Sequence, residues 1–426
     1  MKSNRLVLTL VLALMLVFSS FVFASDYQPY PGVLSPDEVD FGGRTVTIIR
    51  GALPEDAERV AQAEELFNVK LEQIRIENPD LIMARIMAND STYDIIRAPH
   101  REGFFVLAAA GMLLPVDDYL PEEFFESLPN VDRMIIEKLK YQGQRYGIGV
   151  SAGVFNESMM ITSYNKDLIE KYELPDPYEL YLAGEWTYEA MEKIATALTM
   201  DTEGDGVIDQ RGITAVDTYQ AMIRFAGSNG AELAKQDENG KWVFAFNSPE
   251  AIEAFNTVLR WTESGIMGSG DYTAGNVGFF IHTHLGGNRH AQAAGVNFGF
   301  VPMPMGPHVD RYHYPVFDFP IMFLPVNAEY PEGLIALANF LYREEDTLEK
   351  FDTHINQWTL TREHFDVYST AAESWQGEGD VFQSTELWDI MSPPILQVLR
   401  GEKSAAAAMD EIAPTAQAYL DDLFGQ

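Results

Sequence analysis

A strand, a helix and a second strand follow one another near the start of the chain, and this order constrains the fold more than any other feature. Arg44-Thr-Val-Thr-Ile-Ile-Arg50 reads as a buried strand. Glu55 to Phe67 reads as a helix with Val60, Ala63, Leu66 and Phe67 on one face, and Val69 to Ile76 returns as a strand. Two consecutive strands joined through a helix lie parallel in one sheet, with a right-handed crossover.

The same alternation continues. Tyr93 to Arg97 is a short strand and Phe104 to Ala110 a helix. Thr187 caps a helix whose Met191, Ile194 and Leu198 share a face. Ser248-Pro249-Glu250 opens another, with Ile252, Phe255 and Leu259 as its apolar stripe and Gly265 at its end. Between them Asn239-Gly240 signals a hairpin, followed by Trp242, Phe244 and Phe246 on one face of an alternating run. Phe298 to Val301 is a strand, Glu332 to Arg343 a helix, and Ala405 to Phe424 a final helix. The class is α/β. At 426 residues the chain exceeds one ordinary core and points to two lobes.

Residues 1–24 read as a cleavable signal peptide. Lys2 and Arg5 precede an apolar run from Leu6 to Phe23, and Val22-Phe23-Ala24 offers a cleavage site. The competing reading is a retained membrane anchor, for which the run is marginally short. Residues 25–42, rich in Pro, Asp and Tyr, read as a linker. There are no cysteines. That excludes disulfides, thiolate zinc sites, thiol nucleophiles and a lipid-bearing cysteine, and it points to a free mature protein in a periplasm. The formal net charge of −35 argues against nucleic acid and anionic membrane partners.

Several phrases, taken in order, resemble the family of extracellular solute-binding proteins that includes maltose-binding protein. They are Gly111-Met-Leu-Leu-Pro-Val-Asp-Asp-Tyr119, Tyr146-Gly-Ile-Gly149, Tyr164-Asn-Lys-Asp-Leu168, Trp186-Thr-Tyr-Glu189, Asn229-Gly230, Asn247-Ser-Pro-Glu250 and Phe298 to Pro307. The resemblance covers about Val46 to Leu423, nearly the whole chain after the leader. The resemblance implies the two-lobed, type II periplasmic-binding-protein fold, each lobe a mixed sheet flanked by helices and joined by a hinge. It places lobe 1 at 43–155 plus 312–365 and lobe 2 at 156–311 plus 366–426. Crossovers fall near Ser151 to Ile161, near Pro307 to Val316 and beyond Trp358. It further implies a monomer that closes on a ligand in the cleft and delivers it to the permease subunits of an ABC importer with a cytoplasmic ATPase.

A sugar needs directional partners for its hydroxyls and a flat aromatic surface for its C–H face. Residues of those types at loop positions are Arg97, His100, Phe155, Asn156, Glu157, Asn288, Arg289, Tyr312, Phe317, Asp318, Trp358 and Trp375. Trp186, Trp242 and Trp261 lie in helix or strand patterns and read as packing. The order Asp201-x-Glu203-x-Asp205-Gly206-x-x-Asp209 follows a calcium loop, but Gly212 stands where the bidentate Glu is expected. Its two readings are a structural calcium site and a polar turn. His282-Thr-His284 has no third ligand near in sequence and is not read as a zinc site. No nucleophile elbow, His-Glu-x-x-His or phosphate loop occurs. The function that the resemblance implies is sugar binding for import, with no enzyme activity and, the calcium loop aside, no cofactor. The alternatives are a secreted glycosidase or lyase, whose carboxylate pair could be drawn from any of 64 Asp and Glu residues, or a binding protein for a peptide, polyamine or uronate.

Overall fold

A computed structural model describes residues 27–49, 56–75, 79–89, 93–99, 103–149, 159–215, 217–282, 287–316, 320–343, 361–378 and 385–425. Its strands in chain order are β1 (Thr45–Ile49), β2 (Lys70–Ile74), β3 (Ile95–Pro99), β4 (Ile161–Asn165), β5 (Arg211–Ala215), β6 (Ala234–Gln236), β7 (Trp242–Phe244), β8 (Val277–His282), β9 (Phe298–Pro302) and β10 (Pro320–Phe323). They form two mixed four-stranded sheets, ordered β10-β3-β1-β2 and β5-β8-β4-β9, and a separate β6–β7 hairpin.

The parallel crossover expected at the start of the chain is present. β1 pairs in parallel with both β2 and β3. Val46, Ile48 and Ile49 are buried, as expected for a strand covered on both faces. β2 is the sheet's edge, and its Lys70, Glu72 and Gln73 are exposed. Asp56 caps the intervening helix Ala57–Leu66, accepting the N–H groups of Glu58 and Arg59 at 3.0 and 3.1 Å. Asp94, which leads into β3, is buried and accepts the Thr47 N–H at 2.8 Å and the Arg44 guanidinium at 2.7 Å.

β10 follows every strand of the second sheet yet closes the first, antiparallel to β3. The chain therefore leaves the first sheet and returns to it. The two crossings run side by side. Gly149 bridges Met322 and Met159 bridges Val316, both antiparallel. The supporting bonds are Ile148 N–H to Met322 O (2.9 Å), Met322 N–H to Gly149 O (3.0 Å) and Met160 N–H to Pro315 O (2.9 Å). A third segment joins them where Val316 N–H donates to Glu378 O at 3.2 Å.

Residues 27–41, expected to be a linker, are instead packed against the first sheet's core. Val33, Val39 and Phe41 are buried. The Tyr27 ring meets Phe340 edge-on at 5.1 Å, and the Arg343 guanidinium lies 4.1 Å above Tyr30. Burial pushes the Tyr27 hydroxyl up to about 12. Pro31 stands in a turn and Pro36 opens a short 3-10 helix, Pro36–Glu38, while the aromatic rings of this strap supply the buried area that offsets the ordering cost. The N-terminal part of helix Arg362–Ser374, expected on the first lobe up to residue 365, packs on the second sheet. His364 there is buried with its ring stacked on Phe298 and Phe300. Among the described residues no helix is long and apolar enough to cross a membrane, and residues 1–24 lie outside them.

Candidate functional site

Strand register sets where a ligand can sit. In the second sheet Ile161 pairs with both His282 and Pro302, and Ala215 with Ile281, so one sheet edge gathers these four strand ends. Met160, one residue before β4, and helix Thr218–Ser228, which begins just after β5, open onto a cavity beside that edge. Open α/β sheets present their ligands at such an edge.

The cavity measures about 220 Å³ and lies where the three crossings meet. Pro315 and Val316 come from one crossing, Gln376 to Glu378 from another, and Lys138 from helix Asn130–Lys138 of the first-sheet side. Its apolar wall includes Ile223, Phe246 and Trp388. Trp388 is half-buried and meets Tyr219 edge-to-face at 5.2 Å. Its polar wall includes Gln220, Arg224, Arg311 and His313. Arg224 is buried and its Nη2 donates to the side-chain amide oxygen Oε1 of Gln220, one turn earlier. Burial lowers its guanidinium to about 10, so it stays charged at neutral pH. Arg311 Nη2 lies 2.5 Å from Glu378 Oε1, and Lys138 Nζ lies 3.7 Å from Glu232 Oε1. His313 Nδ1 is 3.9 Å from the same Glu378 oxygen. Burial, reinforced by the Arg311 charge, lowers the imidazole below its ordinary value. Aromatic faces, amides and bidentate charged groups together suit a polyhydroxylated molecule.

A second, more open cavity of about 650 Å³ adjoins the first through Arg311 and Gln376. It contains two of the residues singled out from sequence, Tyr312 and Trp375. Neither offers a free stacking face. Trp375 is 1% exposed and its indole N–H donates to Glu378 O at 2.8 Å. The Tyr312 hydroxyl accepts the Trp186 N–H at 3.2 Å and donates to Tyr181 O at 3.3 Å. Arg97 stands apart in β3, with its guanidinium 5.0 Å above the Tyr342 ring. His100, Phe155, Asn156, Glu157, Phe317, Asp318 and Trp358 lie outside the described residues. Asn288 and Arg289 fall in helix Gly287–Ala293, and their side chains also lie outside the description. Arg224, Arg311, His313, Glu378 and Trp388 were not anticipated. The available signal was Asp217, a capping residue two positions before Tyr219 and seven before Arg224 on one helix. Trp186 and Trp261 are fully buried, as expected of packing residues.

The acidic loop forms a closed turn. Asp201 accepts the N–H groups of Gly204, Asp205 and Gly206 at 2.6, 3.3 and 2.6 Å. Asp209 accepts the N–H and hydroxyl of Thr202 at 2.8 and 2.7 Å. These bonds hold both carboxyls below their ordinary range. Among the described residues no three His, Asp or Glu side chains stand together as metal ligands.

The fold is similar to those of several solved proteins. A sugar transporter from Rhizobium etli, solved in an open conformation, matches with a TM-score of 0.64 at 13% identity, covering 88% of this chain and 99% of that one. An ABC substrate-binding protein from Listeria monocytogenes, in complex with cycloalternan, matches at 0.62 and 17% identity over 90% and 99%. The maltose/maltodextrin-binding domain from Bdellovibrio bacteriovorus, bound to maltotriose, matches at 0.60 and 17% over 89% and 100%. No curated protein sequence matches the chain. The model of one family, bacterial extracellular solute-binding protein, matches residues 52–347, well over half of the sequence. Its members are binding proteins rather than enzymes, which removes the glycosidase and lyase alternative. The two sheets, the paired crossings and this match lead to one conclusion: the chain belongs to the bacterial extracellular solute-binding protein family.

Proposed function

We propose that this protein binds a carbohydrate between its two sheets and, by closing at the crossings, presents it to an ABC importer. The observation that carries the reading is the cavity at the meeting of the crossings, walled by Trp388 and Phe246 on one hand and by Gln220, Arg224 and Arg311 on the other. The relatives named above, one a sugar transporter and two holding oligosaccharides, support it. In this reading the hinge lies at 149–159 and 316–322, with a third strand of chain near Glu378. His100, Phe155, Asn156, Glu157, Asn288, Arg289, Phe317, Asp318 and Trp358 are the further proposed ligand contacts. The leader at 1–24 is removed on export to the periplasm, and a monomer meets two permease subunits. The loop Asp201 to Asp209 needs no calcium to close.

A thermal-shift screen across mono- and oligosaccharides, followed by tryptophan-fluorescence titration and recovery of the sugar, tests this. The expected result is saturable binding of one sugar class, a change in Trp388 emission, and recovery of the sugar intact. Silence across a broad glycan panel, or a cleaved product, would overturn it.

A further inference from the structure

The two cavities adjoin but are built differently. The inner one, at about 220 Å³, is smaller than the roughly 300–1,000 Å³ of a pocket that takes a whole drug-sized ligand. Its wall carries the Trp388 ring and the Gln220 amide. A strut crosses it on the first-sheet side. The Lys138 stem packs over Gly377, where an added Cβ would stand 2.8 Å from Lys138 Cε, and the ammonium comes to 3.7 Å from Glu232. The outer cavity, about 650 Å³, is open and presents Asp310, Glu373 and Ser374. Its Tyr312 hydroxyl and Trp375 indole N–H are bonded to the protein itself. Hydroxyls bound at an open polar wall exchange one set of hydrogen bonds with water for another and gain little, whereas a ring stacked in an enclosed wall is held firmly.

Arg311 and Gln376 line both cavities. Arg311 Nη1 donates to Tyr312 O at 3.0 Å, and Nη2 lies 2.5 Å from Glu378 Oε1, so two of its five N–H groups are spent on fixing the guanidinium. Glu378 is held in turn. Its Oε2 accepts the Gln376 N–H at 2.8 Å, and its carbonyl accepts the Val316 N–H at 3.2 Å and the Trp375 indole N–H at 2.8 Å. A guanidinium immobilised before a ligand arrives loses little further freedom on binding it.

We infer that the protein recognises one end of a linear saccharide: the terminal unit enters the inner cavity, the following units pass Arg311 into the outer one, and Arg311 bonds hydroxyls on both sides of the junction. This rests on the carbohydrate reading above and narrows it to chains with a free terminus of one polarity.

The test is calorimetric titration of the mature protein with linear malto-, cello-, xylo- and manno-oligosaccharides, from mono- to hexasaccharides. Each is also used tagged with an aromatic amine at its reducing end, or carrying a benzylidene acetal at its non-reducing end. In the class that binds, affinity should rise roughly ten-fold from mono- to trisaccharide and then level off. Blocking one end should weaken binding roughly a hundred-fold, and blocking the other by less than about three-fold. Arg311→Met should erase most of the gain with length, with the melting temperature confirming a folded protein. If that variant does not fold, the two end-blocked series on the natural protein decide. Equal effects of the two blocks, or a monosaccharide bound as tightly as the trisaccharide, would overturn the inference and leave the carbohydrate reading standing. A folded Arg311→Met that loses the same factor at every length would overturn the role of Arg311. Binding by none of the panel would overturn both readings.

Discussion

His313 lines the cavity with its Nδ1 3.9 Å from Glu378 Oε1, and burial together with the Arg311 charge disfavours its protonated form. Its folded-state value is below 6.5, whereas in the unfolded chain it returns to about 6.5. Between those two values the unfolded chain binds more protons, so stability rises with pH across that window. The contribution is complete above it and is lost as pH falls through it. His313→Gln, which cannot titrate, should therefore lose less melting temperature than the natural protein between pH 7 and pH 5. Equal losses in the two proteins would refute the assignment. Trp375 makes the opposite point about legibility. Its sequence surroundings carry no helical or strand period, which suggested a ligand surface. Yet the ring is sealed under Glu378 and bonded to its carbonyl, so it stiffens the third crossing. Trp375→Ala should cost about 3–5 kcal/mol in chemical denaturation, mostly as an unfilled cavity. Arg224 and Trp388 escaped sequence reading because a single Arg on an apolar helix face and a Trp at a helix start look alike in a core and in a site.

Elements whose ends are written in local chemistry were readable. The Ser248 hydroxyl accepts the Ala251 N–H at 3.3 Å and the Thr187 hydroxyl accepts the Ala190 N–H at 3.2 Å, as their cap positions predicted. Asn239-Gly240 does turn β6 into β7. The final helix runs from Ala405 to Phe424, as expected. Ser248→Ala should lower stability by about 1 kcal/mol, measured by urea titration. β4 and β5 were not readable, because Ile-Thr-Ser-Tyr-Asn and Arg-Gly-Ile-Thr-Ala carry neither an apolar run nor a clear apolar alternation. Helix Thr385–Leu399 runs through Pro393 and Pro394, which local rules would treat as its end. A tighter constraint lies at Gly306, where an added Cβ would stand 2.0 Å from Asn229 Oδ1. That Asn ties Glu250 O to the His308 N–H at 2.8 and 3.0 Å. Gly306→Ala should therefore destabilise the protein more than Ser248→Ala does in the same titration. The loop from Asp201 to Asp209 is closed by its own N–H groups, so adding calcium to chelator-treated protein should leave the melting temperature unchanged. A rise would favour the calcium reading instead.

At the scale of the whole molecule, the alternation of strands and helices pointed to an α/β class and the chain length to two lobes, while how the chain shares them came only from the family resemblance. The return of β10 to the first sheet is a long-range pairing with no local signature. Two antiparallel crossings side by side restrict relative motion of the sheets to bending about a shared axis more than sliding or twisting apart. Small-angle scattering should accordingly show a smaller radius of gyration when the correct sugar is added and no change with an unbound one. The strap of residues 27–41 has a practical consequence. Because Tyr27 and Tyr30 are clamped by Phe340 and Arg343, a fluorescent domain fused ahead of Tyr27 travels with the first sheet. A partner fluorophore inserted at the exposed Gly204 turn, which leads into β5, travels with the other. Energy transfer between them would turn the protein into an optical sensor for its own nutrient.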